Sequence, residues 1–211
     1  MIPYASWTGT RRNLAALKSA GWRLLIAPVH RRVKIPGGFR WCIDNGAWAA
    51  RTEPATWSEG AFLELVALKG DGADFVVVPD VVGAARATLD KAAHWLPRLT
   101  EVADRRLLAV QDGMVPDDVR DWLGPETGIF VGGTTDWKLK TLSTWAQLAR
   151  ERSAWCHVGR VNSVRRISLC SLAGVDSFDG TSASRFAKTV PKLNHARLQT
   201  SWVFHGVTHA D

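Results

Sequence analysis

Short apolar runs alternate along this chain with longer stretches whose apolar residues recur every three to four positions. The runs Trp22–Val29, Arg40–Asp44, Ala73–Pro79, Leu107–Gln111, Gly128–Val131, Ala154–Val158 and Val175–Phe178 predict strands, and Thr200–Phe204 can supply an eighth. Helices are predicted near Arg11–Ala20, Thr56–Lys69, Ala84–Val102, Pro116–Leu123, Leu139–Glu151, Ser163–Leu172 and Ser184–Lys192. Ala61, Leu65 and Leu68 give the second of these its helical spacing. Thr10 is placed to cap the first helix, Pro116 suits a first helical position, and Gly174 suits a C-cap. Pro97 predicts a kink or break. Ala73–Pro79 is nearly all Val and Phe, as in a strand covered on both faces. A β-then-α beat of roughly 25 to 40 residues predicts a parallel sheet. The expectation is an α/β fold, a compact (β/α)8-type TIM barrel, as a single catalytic domain over residues 1–211.

Six of the predicted strands end on one chemical set: Asp44, Asp80, Gln111, the pair Gly132-Gly133, His157 and Asp179. In such barrels the chemistry sits at the strand C-terminal ends, so these groups are expected to face one cavity. Any one Asp at a strand end is as easily the cap of the next helix. Asp179 lies too far before the helix expected from Ser184 to be a simple cap. Asp176 alternates with Phe178 and is expected to face the helical layer or a loop.

Charge and composition narrow the partner. The chain carries a net charge of +7 with a pI near 9.8, a balance that favours a polyanion because each neutralised phosphate releases counterions. Its 46% hydrophobic and 22% charged residues are those of a globular domain. With no apolar run near the roughly 20 residues that span a bilayer, and no charged-then-apolar leader, a cytoplasmic location is expected. Cys42, Cys156 and Cys170 are an odd count with no CxxC spacing, so no metal site is expected, and Cys42 and Cys156, inside strand-like runs, are expected to be buried inert thiols. Eleven Trp residues are unusual, and one or two in a cleft can stack on a base.

The set resembles the tRNA-guanine transglycosylase superfamily, and within it the DNA-acting deazaguanine transglycosylases of phages and bacterial modification islands. The resemblance runs from about Trp41 to Arg185. Asp44-Asn45-Gly46-Ala47-Trp48 matches the family's Asp-Ser-Gly-Gly-aromatic motif. Asp80 in VVVPDVV, Val110-Gln111, Gly132-Gly133 and Gly174-Val175-Asp176-Ser177-Phe178-Asp179 match later motifs in order. The resemblance implies Asp179 as the nucleophile, Asp44 as general acid/base, and Trp48, Asp80, Gln111, Gly132 and Gly133 as the base-binding set. Asp80 would accept from the guanine ring N–H and amine, while Gln111 and the Gly133 N–H donate to its carbonyl oxygen. Trp48 and the glycine pair can equally be packing and a tight turn, and His157 a hydrogen-bonded structural residue outside the catalytic set.

The chemistry suits these residue types on its own terms. A carboxylate can capture C1′ as a covalent ester while a second carboxyl manages the proton of the departing base. Lys138, Lys140, Arg160 and Arg185 are expected to ring the mouth and hold nucleic acid around a flipped nucleotide. The segment from Gly180 to Arg185 can be a phosphate clamp or a capped loop. The tRNA enzymes carry a zinc-binding subdomain after the nucleophile, which this chain does not match; DNA is therefore the expected partner ahead of tRNA. A free 7-deazaguanine is the expected co-substrate, with no cofactor and with room for accessory DNA-modification proteins. The alternatives are the same exchange on tRNA, a base-excising glycosylase, and a non-catalytic nucleic-acid-binding barrel.

Overall fold

The computed structural model describes residues 1–52 and 57–203. Eight parallel strands close a barrel in chain order: β1 (Ile2–Ser6), β2 (Arg23–Ile26), β3 (Trp41–Ile43), β4 (Val76–Val77), β5 (Arg106–Val110), β6 (Thr127–Val131), β7 (Cys156–Val158) and β8 (Ser177–Gly180). The helices around them are α1 (Arg11–Ser19), α2 (Ala47–Thr52), α3 (Glu59–Lys69), α4 (Ala85–Leu99), α5 (Thr135–Glu151), α6 (Val164–Ala173), α7 (Ser182–Arg185) and α8 (Val190–Val203). This is the expected (β/α)8 barrel, closed differently at its seam. The remaining strand is N-terminal: β1 pairs with both β2 and β8, setting Tyr4 opposite Asp179. Its sequence IPYAS carries Pro3 and no run of β-branched or aromatic residues, so it does not read as a strand by pattern. Thr200–Val203 instead ends α8, and Phe204 lies outside the described residues.

Local chemistry explains the start of α3 and both ends of α6. The Ser163 hydroxyl accepts from the Arg166 N–H, and Gly174 closes α6 at φ +74°, a left-handed cap that glycine adopts without Cβ strain. Helix α3 begins at Glu59 because Ser58 caps it, accepting from the Ala61 N–H at 3.2 Å; the expected start at Thr56 lies outside the described residues. Its buried face is Phe62, Leu65 and Val66, while Leu68 is 58% exposed, so the face is rotated from the one predicted. Thr10 makes no capping bond, and α4 continues through Pro97 to Leu99. Pro116 opens a 3-10 turn, followed by a second at Arg120–Trp122, in place of the expected helix.

The strands separate two cores. Odd and even strand residues point to opposite sides. Tyr4, Leu25, Cys42, Phe75, Val77 and Leu107 fill the barrel interior. Leu24, Ile26, Ile43, Val76, Leu108, Ile129 and Val158 pack outward against the helices. Fully burying one such Leu or Ile contributes about 1.5–3 kcal/mol. At the N-terminal end of the barrel the Asp74 carboxylate accepts from the Tyr4 hydroxyl at 2.8 Å and pairs with Arg23 at 2.9 Å and Arg40 at 2.5 Å. All three cysteines are free and buried. Among the described residues no helix is long and apolar enough to cross a membrane.

Candidate active site

The period of two that fills the barrel interior also selects what stands at its mouth. From Tyr4, Cys42, Phe130 and Ser177, two residues further on are Ser6, Asp44, Gly132 and Asp179, and Gln111 follows Leu107 and Ala109 in the same phase. These five line one cavity of about 110 Å³ at the strand C-terminal ends. Asp80, Asn45 and Gly133 complete its wall, with Trp48 and Arg160 at the rim. Asp176 is out of phase; its carboxylate accepts the Cys156 backbone N–H at 2.7 Å, away from the cavity.

Asp179 is held by a directed chain. The Trp155 indole N–H can only donate, and it reaches the Ser177 Oγ at 2.7 Å. An ionised Asp179 can only accept, so the facing His157 nitrogen donates, and Nδ1 of the neutral ring is left to accept from the Ser177 hydroxyl 2.8 Å away. The proton of a neutral His157 therefore sits on Nε2, 3.1 Å from Asp179 Oδ2. His157 is fully buried, stacked on Phe130 at 5.1 Å and edged by Tyr4 and Phe75. The other Asp179 oxygen accepts the Arg160 backbone N–H at 3.2 Å. Arg160 bends inward for this at φ +60°, a conformation that costs a non-glycine residue about 1 kcal/mol.

Asp80 is clamped by two amides whose orientation is forced. Gln111 Oε1 accepts from the Gly83 and Gly133 backbone N–H groups at 3.0 and 2.9 Å, so its NH₂ faces Asp80 Oδ2 at 2.5 Å. Asn45 Oδ1 accepts from the Ala47 N–H at 2.8 Å, so its NH₂ donates to the Val78 carbonyl and Asp80 Oδ1, both at 2.7 Å. Burial pushes the Asp80 carboxyl up to about 6 against these two bonds. A Cβ on Gly132 would come within 2.7 Å of the Gln111 amide nitrogen, so glycine there makes room for the clamp.

Asp44 faces the cavity between the other two carboxylates. Burial pushes its pKa up to about 7, with the charges of Asp179 and Asp80 adding and the backbone N–H groups of Gly46 and Asn45 opposing. Two acids of one residue type are thus placed in unlike settings: one in a bonding chain from His157, one poised to hold or release a proton near neutrality.

Three expected roles change. The Gly133 N–H is already committed to Gln111 and is not a donor for a ligand. Lys138 is buried, with its ammonium donating to the Gly159 carbonyl; burial first, then the charge on Arg160, lower its pKa to about 8, so it braces the β7–α6 loop and does not reach a phosphate. Arg160 points its guanidinium at the Gly133 carbonyl and lays it 3.7 Å from the Trp48 ring centroid, so one face of Trp48 is occupied. Lys140 is exposed on α5 and lies outside the cavity lining, while Arg185 is exposed beside the mouth. Sequence alone does not single out Asn45 or Ser177, and it sets His157 apart. Their signal is positional: Asn45 adjoins Asp44, and Ser177 shares the inward phase of Asp179.

No family model and no curated protein matches this sequence. Fold and site together define a (β/α)8 barrel with a carboxylate-lined pocket at the strand C-terminal ends.

Proposed function

We propose that the protein exchanges guanine in a polynucleotide, DNA ahead of tRNA, for a 7-deazaguanine base through a covalent glycosyl ester on Asp179. The observation that carries this reading is the differing environment of three carboxyl groups in one small cavity: Asp179 bonded to His157, Asp44 raised to about 7, and Asp80 gripped by two amides.

In the first half-reaction the Asp179 carboxylate attacks C1′ as the C1′–N9 bond breaks. The electron pair leaves with the base, and Asp44 gives it a proton, so neutral guanine departs. A carboxyl with a pKa near operating pH is suited to this, since it is both populated as an acid and recoverable as a base. In the second half-reaction the incoming base loses its N9 proton to Asp44 as N9 bonds to C1′ and the ester C–O bond breaks. Asp179 is then restored. Two inversions retain configuration, the logic of paired carboxylates in sugar transfer.

Asp80 reads the base edge. Each of its oxygens accepts one amide N–H and keeps a lone pair for the ring N–H and amine of a guanine. The remaining N–H of Gln111 is the donor for the carbonyl oxygen. A base stacked on Trp48 takes the place of the Arg160 guanidinium, giving up an interaction worth about 0.5–2 kcal/mol and freeing a cation for the polynucleotide. The choice of DNA follows the branch that the motifs resemble.

Exchange of labelled guanine into DNA, and separately into unmodified tRNA, tests this with purified protein. Incorporation into DNA supports the reading, and incorporation into tRNA alone overturns the substrate. Release of guanine without incorporation replaces exchange by excision.

A further inference from the structure

Two joined open grooves lie on the β8 side of the barrel, the first of them adjoining the mouth. The first, about 520 Å³, shares Ser6 and Thr181 with the central cavity and continues past Thr8, Thr10, Ser184 and Arg185. The second, about 550 Å³, meets the first at Phe186 and carries Arg165, Lys188 and Lys192 beside Asn162 and Ser163. Phe186 stands between them, 55% exposed, directly after α7.

Among the described residues no carboxylate lines either groove. Among the same residues none of Arg165, Arg185, Lys188 and Lys192 takes part in a salt bridge. Some cations elsewhere on the surface are paired, as Arg31 and Arg32 with Glu64 and Arg120 with Asp117 and Glu151. Others, such as Arg11 and Lys69, are in no salt bridge among the described residues. What distinguishes the four groove cations is that they gather along two joined grooves. Like charges gathered without counter-charges repel one another, and an anion threading the groove relieves that repulsion.

We propose that these grooves form one track for a locally single-stranded DNA segment, running from the nucleotide in the central cavity, past the hydroxyls of the first groove, over Phe186, and along the cations of the second. The chemistry of the lining matches a phosphodiester strand part by part. Hydroxyls and Arg185 meet the sugar and phosphate next to the extruded nucleotide. Phe186 offers a face to the neighbouring base, which every base can use, and the three cations beyond it neutralise backbone phosphates. The track rests on the polynucleotide substrate proposed above, and it deepens that reading by giving the strand a side of the barrel.

The test is binding alone, so that it stands apart from the reaction. Fluorescence anisotropy follows a short labelled single-stranded oligodeoxynucleotide with one guanine, titrated with full-length Asp179→Ala protein across a salt series. Removing Lys188 and Lys192 together (both to Ala) is expected to reduce the slope of log K against log salt by about 1.4, at about 0.7 for each phosphate no longer neutralised. Phe186→Ala is expected to weaken binding roughly 5- to 150-fold with the slope unchanged. All three side chains are exposed, and thermal melts of the variants establish that the fold is kept. Binding that persists with unchanged slope and affinity in these variants overturns the track, as does failure of the parent protein to bind. Tighter binding of the RNA counterpart overturns the choice of DNA. Groove dependence found in the Asp179→Ala protein, with no base exchange by the wild-type protein, upholds the track and condemns the proposed reaction.

Discussion

Asp44→Asn isolates the group on which the proposed proton traffic depends. The native carboxyl is raised from 3.8 to about 7, chiefly by burial and then by Asp179 and Asp80. In the unfolded chain it titrates near 4. A raised folded pKa means that its contribution to stability is fully present below pH 4 and is lost as pH climbs to about 7. At 1.36 kcal/mol per pKa unit the loss has a ceiling of about 4 kcal/mol at pH 8, and relaxation and water entry bring the expected value to about 1–3 kcal/mol. The isosteric amide carries no charge at any pH. Asp44→Asn is therefore expected to melt above the wild type at pH 8, by about 2–4 °C per kcal/mol for a chain of this size. The difference should shrink to about a third of its pH 8 value at pH 5 and vanish only below about pH 4, where Asp44 is protonated in the folded and unfolded chain alike. Exchange activity should fall about 10²- to 10⁴-fold, the usual worth of a positioned acid/base. Thermal denaturation at the two pH values is the assay. A melting difference that does not change between pH 5 and pH 8, or a variant less stable at pH 8, refutes the assignment of Asp44 as a strained, proton-holding carboxyl.

Other substitutions probe the supports of the site. Ser177→Ala removes the hydroxyl that donates to His157 Nδ1, so kcat should fall about tenfold, the worth of one hydrogen bond, with KM unchanged; an equal rise in KM would count against a positioning role. Gln111→Glu sets a second carboxyl on Asp80, so its stability loss of about 1–3 kcal/mol should grow as pH rises past 6, and a loss equal at pH 5 and pH 8 would contradict the clamp. Asp74→Ala removes the partner of Tyr4, Arg23 and Arg40 at the opposite end of the barrel. Arg40 is largely exposed and stays solvated, so the cost by urea denaturation should be about 1–3 kcal/mol, with exchange kinetics unchanged.

Much of the architecture is legible in the sequence because a barrel buries every strand on both faces. Apolar runs such as Ala73–Pro79 stand out, and an inward phase carried two residues further delivers a polar group to the mouth. That rule brings Asp44, Gln111, Gly132 and Asp179 together. The pattern does not announce β1, whose five residues gain their strand character from pairing with β2 and β8, although Tyr4 and Ser6 then keep the same phase. Reach is the other blind spot. Sequence places Lys138 near the mouth, but only packing decides that its ammonium turns inward to the Gly159 carbonyl. Likewise the Gly133 N–H and one face of Trp48 are each taken by a partner distant in sequence, Gln111 and Arg160. His157 reads as structural from sequence because a buried histidine usually is. Its bond to Asp179 depends on a chain through Ser177 and Trp155 that no local motif announces.

The covalent intermediate is the central claim and can be sought directly. Guanine-containing DNA is incubated with the protein, quenched by denaturation, digested with protease and nuclease, and the peptides are mapped by mass spectrometry. A nucleotide ester on the peptide holding Asp179, absent in Asp179→Ala and discharged by adding a 7-deazaguanine base, is the result the account predicts. Base exchange that proceeds at full rate in Asp179→Ala, or an adduct on another side chain, would contradict it.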